Sequence, residues 1–472
     1  MDYHRYCREY ISSPLCHILN LSIETSTVPA TWKIAIIIPI YKSGSYDQPE
    51  NYRPISVLPV LSKLLKKSIH RQLMNFLEDE NLISKYQFGY RSKRSTNLAA
   101  TLLIDDIRRE VDRGNLVGTV FIDLNKAFDT ISHGALLTKL QSYGVKSKEL
   151  LWFTDYLFGR HQYVQLGVNM SSNQPVFSGV PQGSILGPLL FIVFYNDFVD
   201  QLANSRVLKY ADDTVIYVPG KDIETIERAL SQDLELIAEY FNQNELVINL
   251  KKGKTEIMMF GTGKRLSSQP RNLEVKYRGQ VINTTKSYKY LGYILDTSLT
   301  LSENFNAAYK KASGRLRLLS KLREHVTSDA ALKIYQMMIL PIITYSEMIK
   351  LLLSNTQLPK YTSIENRARY VIGNEKHVPQ LENILKKKAC MTVRKCLEND
   401  MCSNFQGYFE INDHKQHTRN NSKLVKLPKV KLEYARQSFS FAPVKIYNDL
   451  PIDIRSEKNL KNFKSLLDIH FV

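Results

Sequence analysis

The residues of this chain best suited to chemistry are a few aspartates set among apolar neighbours. Tyr210-Ala211-Asp212-Asp213-Thr214 puts two adjacent acids inside the apolar stretch Val207 to Val218, whose pattern predicts a hairpin. Adjacent carboxylates repel each other and desolvate poorly, and a tight turn without metal favours Asn-Gly or Asp-Gly. Taken alone, the pair also fits a plain solvated turn. A third acid changes the weighing. Asp123 ends the predicted strand Val120-Phe121-Ile122, whose apolar residues imply burial, about ninety residues before the pair. Carboxylates brought together from two adjacent strands suit divalent cations, and in phosphoryl transfer such sites clamp two ions ~3.5–4 Å apart. Between these acids lies Gly179-Val180-Pro181-Gln182-Gly183-Ser184, a loop that opens an apolar helix predicted to reach about Leu202. Its amides can approach a sugar-phosphate closely, and a helix N-terminus favours anions. Pro-Gln-Gly is by itself a common turn; its position between the acids is what counts.

The elements that must hold these residues follow from periodicity. A helical lead-in carries Leu15, Ile18, Leu19 and Ile23, and Lys33 to Ile40 is a β-branched run that predicts a strand. Leu61, Leu64, Leu65, Ile69, Leu73, Phe76 and Leu77 form one stripe of a long helix. A second helix carries Leu98, Leu102, Leu103, Ile107 and Val111, capped by Ser95 or Thr96. Leu116 to Leu124 predicts a strand, 134–142 and 147–158 two helices, and Tyr163 to Val168 an edge strand. Ile223 to Phe241 reads as a helix and Thr255 to Phe260 as a strand. From about 300 the pattern is helical and basic, 410–432 reads as a polar linker, and the chain ends in a helix. Strands alternating with helices over 30–262 predict an α/β or α+β domain.

Composition narrows the class. In 472 residues, 64 Lys and Arg stand against 46 Asp and Glu, a formal charge of +18, which favours a polyanionic partner, nucleic acid ahead of a membrane surface. The richest apolar run, Ile185 to Phe194, is too short to span a bilayer, and the first 30 residues lack the order of a signal peptide. Five cysteines do not make a disulfide scaffold and fit a reducing compartment. The expectation is an intracellular protein of nucleus or cytoplasm, with no membrane partner.

Three motifs then carry a resemblance. Phe121-Ile122-Asp123-Leu124-Asn125-Lys126-Ala127-Phe128-Asp129 resembles the first catalytic motif of reverse transcriptases of non-LTR (LINE-type) retrotransposons. The run Gly179 to Phe191 is similar to their template–primer and nucleotide motif, and Tyr210 to Thr214 to their catalytic hairpin, in the same order and spacing. Asn51-Tyr52-Arg53-Pro54-Ile55-Ser56 and Gln87-Phe88-Gly89-Tyr90-Arg91 resemble the fingers motifs, Asn249 to Thr255 the late palm motif, and Tyr290-Leu291-Gly292 the primer grip. Asn448-Asp449-Leu450-Pro451 with Ile454-Arg455 resembles the tail of jockey-like elements. The likeness covers about 28–472.

The resemblance implies an α+β right-hand polymerase: a lead-in at 1–27, fingers and palm (a sheet backed by helices) at 28–285, a helical thumb at 286–375 and a small C-terminal extension at 376–472. It implies RNA-directed DNA polymerisation with an RNA template, a DNA primer and dNTPs, and two Mg²⁺ ions, with Mn²⁺ as a substitute. Asp123 and Asp212 become the main metal ligands and Asp213 a looser third, with a backbone oxygen of Ile122 or Leu124 completing a shell. Phe128 becomes the aromatic that excludes a ribose 2′-OH, against ordinary core packing. Gln182 and Gly183 meet the nucleotide, and Arg53 and Lys42 its triphosphate, although Lys42 also fits a solvated loop. Lys254 is a candidate to protonate pyrophosphate, with Lys251 and Lys252 close by. Gly89, Arg91, Lys93, Arg94, Tyr290, Leu291 and Gly292 are expected at template and primer.

Two departures bear on the expectation. Family members carry an upstream endonuclease, whereas about 30 residues precede the fingers here, so the chain is expected to lack that domain and nicking to be supplied elsewhere. No downstream RNase H pattern is evident. Cys390, Cys396, Cys402, His414 and His417 invite a zinc reading, but their steps miss the usual C-x₂₋₄-C spacing. The competing reading is an idle or host-adopted relic that binds nucleic acid; a group II intron or retron-type enzyme fits the tail poorly.

Overall fold

A computed structural model of the chain describes residues 8–345, 358–373, 378–412 and 424–471. Helix α1 (Arg8–Glu24) is followed by strands β1 (Ile34–Tyr41) and β2 (Tyr52–Val57) and helices α2 (Val60–Asp79) and α3 (Thr96–Asp112). Helix α3 starts where its cap predicts, with the Ser95 side chain accepting the Leu98 amide. Then come β3 (Leu116–Ile122), α4 (His133–Ser142), α5 (Ser147–Leu157), β4 (Arg160–Leu166), β5 (Asn169–Met170), β6 (Gln174–Val176) and α6 (Gly187–Phe194). The hairpin β7 (Arg206–Tyr210) and β8 (Asp213–Gly220) leads to α7 (Ile223–Gln243) and β9 (Glu256–Phe260). Short strands β10 (Lys276–Tyr277), β11 (Gln280–Val281) and β12 (Asn283–Thr284) precede the hairpin β13 (Ser287–Tyr290) and β14 (Tyr293–Asp296).

Two five-stranded sheets carry the fold. The first has the order β2-β1-β4-β5, with β6 also on β4; the second has the order β12-β9-β3-β8-β7. Strand β4 was expected at an edge, but it runs parallel to β1 and antiparallel to β5 and β6. Helix α6 was expected to reach about Leu202 and instead stops at Phe194, giving way to a tighter turn over Asn196–Gln201. The cause is local. The carbonyls of Tyr195 and Asn196 accept the buried Lys209 ammonium (2.6 and 3.2 Å), and the Asn196 amide holds Leu82 and Ser84.

Strand β3 is central and buried along its whole length. Successive side chains of a strand point to opposite faces, and here each face feeds a different core. Val117 and Phe121 join a core with α3, the helices that follow Ser302 and the C-terminal residues up to Leu467. Leu116, Val120 and Ile122 join a second core with α6 and α7. Val215 and Tyr217 against Ile216 and Val218 repeat the division on β8. Gly118 lies on the α7 face, where a Cβ would come within 2.2 Å of the Ile226 side chain, so glycine is what lets α7 lie this close.

From Ser302 the chain is mainly helical, beginning with α8 (Ser302–Leu322). Residues 286–301, expected to open a helical thumb, instead hold the β13–β14 hairpin. The C-terminal residues are tied to the back of the palm sheet by charged groups on α3. Asp105 accepts the Ser440 amide (2.8 Å) and the Tyr408 hydroxyl, Arg108 donates to Gln437 and Leu299, and Asp112 accepts the Leu432 amide (2.7 Å). Val425, inside the expected linker, is buried and its backbone pairs with the Asn448 amide. Among the described residues, no helix is long and apolar enough to cross a membrane.

Overpacking a filled interface costs about 1–3 kcal/mol. Gly118→Ala is expected to lose stability in that range, read as a lower urea midpoint at unchanged slope. A midpoint equal to wild type would contradict the close seating of α7.

Candidate active site

Asp123 sits one residue past the end of β3, where the last ladder pair, Ile122 with Thr214, sets β3 beside the β7–β8 turn. Its backbone is fixed on both sides. The Asp123 amide donates to Thr255 Oγ1 (3.1 Å) and its carbonyl accepts the Asn249 amide (2.8 Å). Its carboxylate accepts Asn249 Nδ2 at 3.1 Å and faces Lys254 Nζ at 3.4 Å. Tyr210 pairs with Asp213, so Ala211 and Asp212 form a two-residue turn with Ala211 in the left-handed region (φ 57°). The predicted hairpin therefore presents Asp212 at its tip and Asp213 at the start of β8.

The three acids share one field. Asp212 is held above the usual carboxylate range, by burial first and then by Asp123, with Arg53 and Lys254 opposing. Asp213 lies at the rim of the site. The protein packed around it pushes its carboxyl up to about 6, and Asp212 and Asp123 push the same way. Three cations answer them. Lys42 is lowered by burial and by Lys254 and Arg53, while Asp123 and Asp212 pull it back up. The pairing of Ile40 with Arg53 across β1 and β2 brings Arg53 to this site. Sequence motifs scattered from residue 42 to residue 254 thus meet in one place.

The loop before α6 forms the neighbouring wall. Its Gln182 carbonyl accepts the Ser56 amide (2.8 Å) and its side-chain amide donates to Asp129 (2.9 Å). Gly179 has φ 81°, and a Cβ there would lie 2.6 Å from the Asp129 carbonyl oxygen, so a side chain is excluded. His133 Nε2 meets the Gly179 carbonyl at 2.8 Å from below. Gly183 (φ 94°) lies against Ser56. Phe128 is half-buried beside this loop, stacked on Phe191 with ring centres 4.7 Å apart. Asp129 and Asn249 were not among the candidate site residues. Both sit inside quoted motifs, and their signal was a polar residue beside an expected catalytic one.

The expected template and primer contacts fare differently. Arg91 places Nε and Nη2 on Glu78 (2.7 and 2.5 Å) and Nη1 on the Ser84 carbonyl (2.7 Å). That fork holds Glu78 below the usual carboxylate range, and the Arg91 guanidinium has its donors engaged within the chain. Arg94 donates to the Lys85 carbonyl and to Asn404, and lies over the Phe88 ring. Lys93 pairs with Asp400 at the surface (2.6 Å). Tyr290 is buried, its ring 5.6 Å from that of Phe121, so its side chain belongs to the core. Arg91, Arg94 and Tyr290 thus each have partners within the chain. Leu291 (φ 47°) and Gly292 (φ 87°) make the β13–β14 turn, where the Leu291 carbonyl accepts the Tyr345 hydroxyl (3.3 Å).

Hard carboxylate oxygens that repel one another are a donor type suited to a divalent cation. Among the described residues no group of three or more His, Cys, Asp or Glu is placed so as to hold a metal ion by itself, the three aspartates included. Cys390, Cys396 and Cys402 are buried, and burial pushes the Cys390 and Cys396 thiols up to about 12. His414 and His417, the other members of the zinc reading, lie outside the described residues.

A sheet that is antiparallel except at β12–β9, with acids from β3 and the β7–β8 turn set near Lys42 and Arg53 of the β1–β2 segment, defines a polymerase-type palm and fingers. The chain belongs to the reverse transcriptase (RNA-dependent DNA polymerase) family, whose match spans residues 40–295, more than half its length. It is similar to the probable RNA-directed DNA polymerase from transposon BS of Drosophila melanogaster, at 29% identity over 76% of this chain and 40% of that protein. It is also 29% identical to the RNA-directed DNA polymerase from mobile element jockey of Drosophila melanogaster, over 70% of this chain and 36% of that one. These relatives bear out the jockey-like resemblance of the motifs, and the chain spans well under half of their length. Among solved structures, apo telomerase from Candida tropicalis aligns with 82% of this chain and 71% of that one, at 11% identity and a TM-score of 0.41.

The raised carboxyl of Asp213 gives a signed prediction. A carboxyl raised on folding penalises its ionised form, so the penalty is absent below the ordinary value of 3.8 and full above about 6. In EDTA, Asp213→Asn is expected to melt increasingly above wild type as pH rises from 4 to 7. A melting difference independent of pH would contradict the crowding of the three acids.

Proposed function

We propose that this chain is an RNA-directed DNA polymerase that extends a primer 3′-OH on an RNA template. The observation that carries the reading is the convergence of Asp123, Asp212 and Asp213 with Lys42, Arg53 and Lys254 at one site of a reverse transcriptase fold.

In the reaction the primer 3′-oxygen attacks the α-phosphorus of a dNTP, a new phosphodiester bond forms, and the bond to pyrophosphate breaks. Asp123 and Asp212 would hold two Mg²⁺ ions, with Asp213 as the looser ligand, and the ions would stabilise the attacking and leaving oxygens. Arg53 and Lys42 bind the triphosphate, Arg53 through a bidentate fork. Lys254 is the one of the three neighbouring lysines that faces Asp123, and it is placed to give a proton to the leaving pyrophosphate. Gln182, braced on Asp129, and Gly183 form the wall against the sugar and base. Phe128, stacked on Phe191, is assigned the exclusion of a ribose 2′-OH. Binding rests on many phosphate contacts, while chemistry rests on few carboxylates.

Primer extension on an RNA template with Mg²⁺ tests the proposal. Wild type is expected to extend, and Asp123→Asn or Asp212→Asn to retain template–primer affinity within a few-fold while extension falls below a few per cent. Tight binding without extension by wild type would instead mark an idle nucleic-acid-binding relic.

Phe128 allows a separate check. Phe128→Val is expected to raise the rNTP/dNTP ratio of kcat/KM by orders of magnitude with a modest loss of dNTP use. An unchanged ratio in a protein destabilised by ~1–4 kcal/mol would make Phe128 a core residue only.

A further inference from the structure

The turn that carries Asp212 has an unusual brace. Its first residue, Ala211, is buried and left-handed, a conformation unfavourable for any residue with a Cβ. Glycine would serve there at no steric cost, yet would leave the turn loose. What holds Ala211 comes from more than a hundred residues earlier. Gln87 is fully buried, and its Oε1 accepts the Ala211 amide at 2.9 Å and the Gly89 amide at 2.8 Å. Its Nε2 donates toward the Ala211 carbonyl at 3.4 Å. One side chain thus pairs with both backbone polar groups of Ala211, as a neighbouring strand would.

The surrounding backbone reinforces the brace. The Phe88 amide donates to the Lys209 carbonyl (2.7 Å) and the Lys209 amide to the Tyr86 carbonyl (2.9 Å), so residues 86–88 run as a short parallel bridge beside β7. Gly89 lies so close that a Cβ would stand 2.4 Å from the Ala211 nitrogen. The segment is itself anchored. The Ser84 amide donates to Asn196, and Arg91 is forked on Glu78 of α2. Buried backbone groups left unpaired are costly, so the turn and the fingers segment keep a common position.

We propose that Gln87 is a positioning residue that clamps the Ala211–Asp212 turn and thereby fixes where the Asp212 carboxylate can hold a divalent cation. The clamp deepens the polymerase reading and rests on it for its catalytic consequence. It acts through the turn and touches no reacting atom.

The test compares Gln87→Leu, which fills the same space without polar atoms, with Gln87→Glu, which keeps oxygens for the Ala211 and Gly89 amides. Four quantities are read: kcat and KM for dNTP on an RNA template, template–primer Kd, melting temperature, and Mn²⁺ affinity without nucleic acid by electron paramagnetic resonance. Gln87→Leu is expected to lower kcat at least tenfold and Mn²⁺ affinity at least fivefold. KM and Kd should stay near wild type, the melting temperature should fall by a few degrees because the Ala211 and Gly89 amides lose their partner, and Gln87→Glu should recover most of these losses. Gly89→Ala, which leaves Gln87 in place but pushes on Ala211, should reproduce the loss of Mn²⁺ affinity. Unchanged kcat and Mn²⁺ affinity in Gln87→Leu would overturn the clamp. So would a joint fall of melting temperature, Kd and kcat in both Gln87 variants. If wild type fails to extend primers, the polymerase reading fails, while the Mn²⁺ comparison still reads the clamp.

Discussion

Mutual repulsion among Asp123, Asp212 and Asp213 is the constraint on which the rest of the site depends. Asp123 raises the proton affinity of Asp212, and both raise that of Asp213, so a fold that keeps them charged must supply cations and rigid supports. The chain does both. Lys254 faces Asp123 directly, and Lys42 and Arg53 arrive from the other sheet. These cations moderate the repulsion.

Rigidity comes from the way one strand serves two cores. Strand β3 sends alternate side chains into the core with α7 and into the core with the C-terminal residues, so Asp123 emerges from a strand that is held on both faces. The C-terminal residues are structural partners of the palm sheet. Asp105, Arg108 and Asp112 hold their backbone, and their apolar side chains lie in the same core as Phe121. Catalytic geometry in such an arrangement depends on residues far from the site in sequence.

The legible parts of the molecule were those set by local pattern. The stripe from Leu61 to Leu77 predicted α2, Ser95 predicted the start of α3, and the apolar–Asp-Asp–apolar pattern predicted the β7–β8 hairpin. The order of motifs was enough to bring Asp123 beside Asp212 and Asp213, because neighbouring strands leave little choice of where acids at their ends lie. What was not legible depended on distant partners. Nothing near Arg91 says that Glu78 will take its guanidinium, and nothing near Arg94 points to Asn404. Tyr290 was visible only through its likeness to a primer grip, and its burial depends on Phe121 in another strand. Strand β4 looked like an edge because its partners β1 and β6 come from separate stretches of chain. Gln87 was visible only as part of a motif, since its role lies in a turn 124 residues away.

If the acids form a floor that needs cations, cations alone must stabilise the folded chain. Binding to the native state raises stability by about 2.7 kcal/mol at a hundredfold excess over Kd. Melting the wild-type chain against rising Mn²⁺, with no nucleic acid present, is expected to raise its melting temperature by a few degrees, and Asp123→Asn and Asp212→Asn should lose that rise. A wild-type melting temperature indifferent to Mn²⁺, or an equal rise in both variants, would show that the three aspartates do not form a cation site.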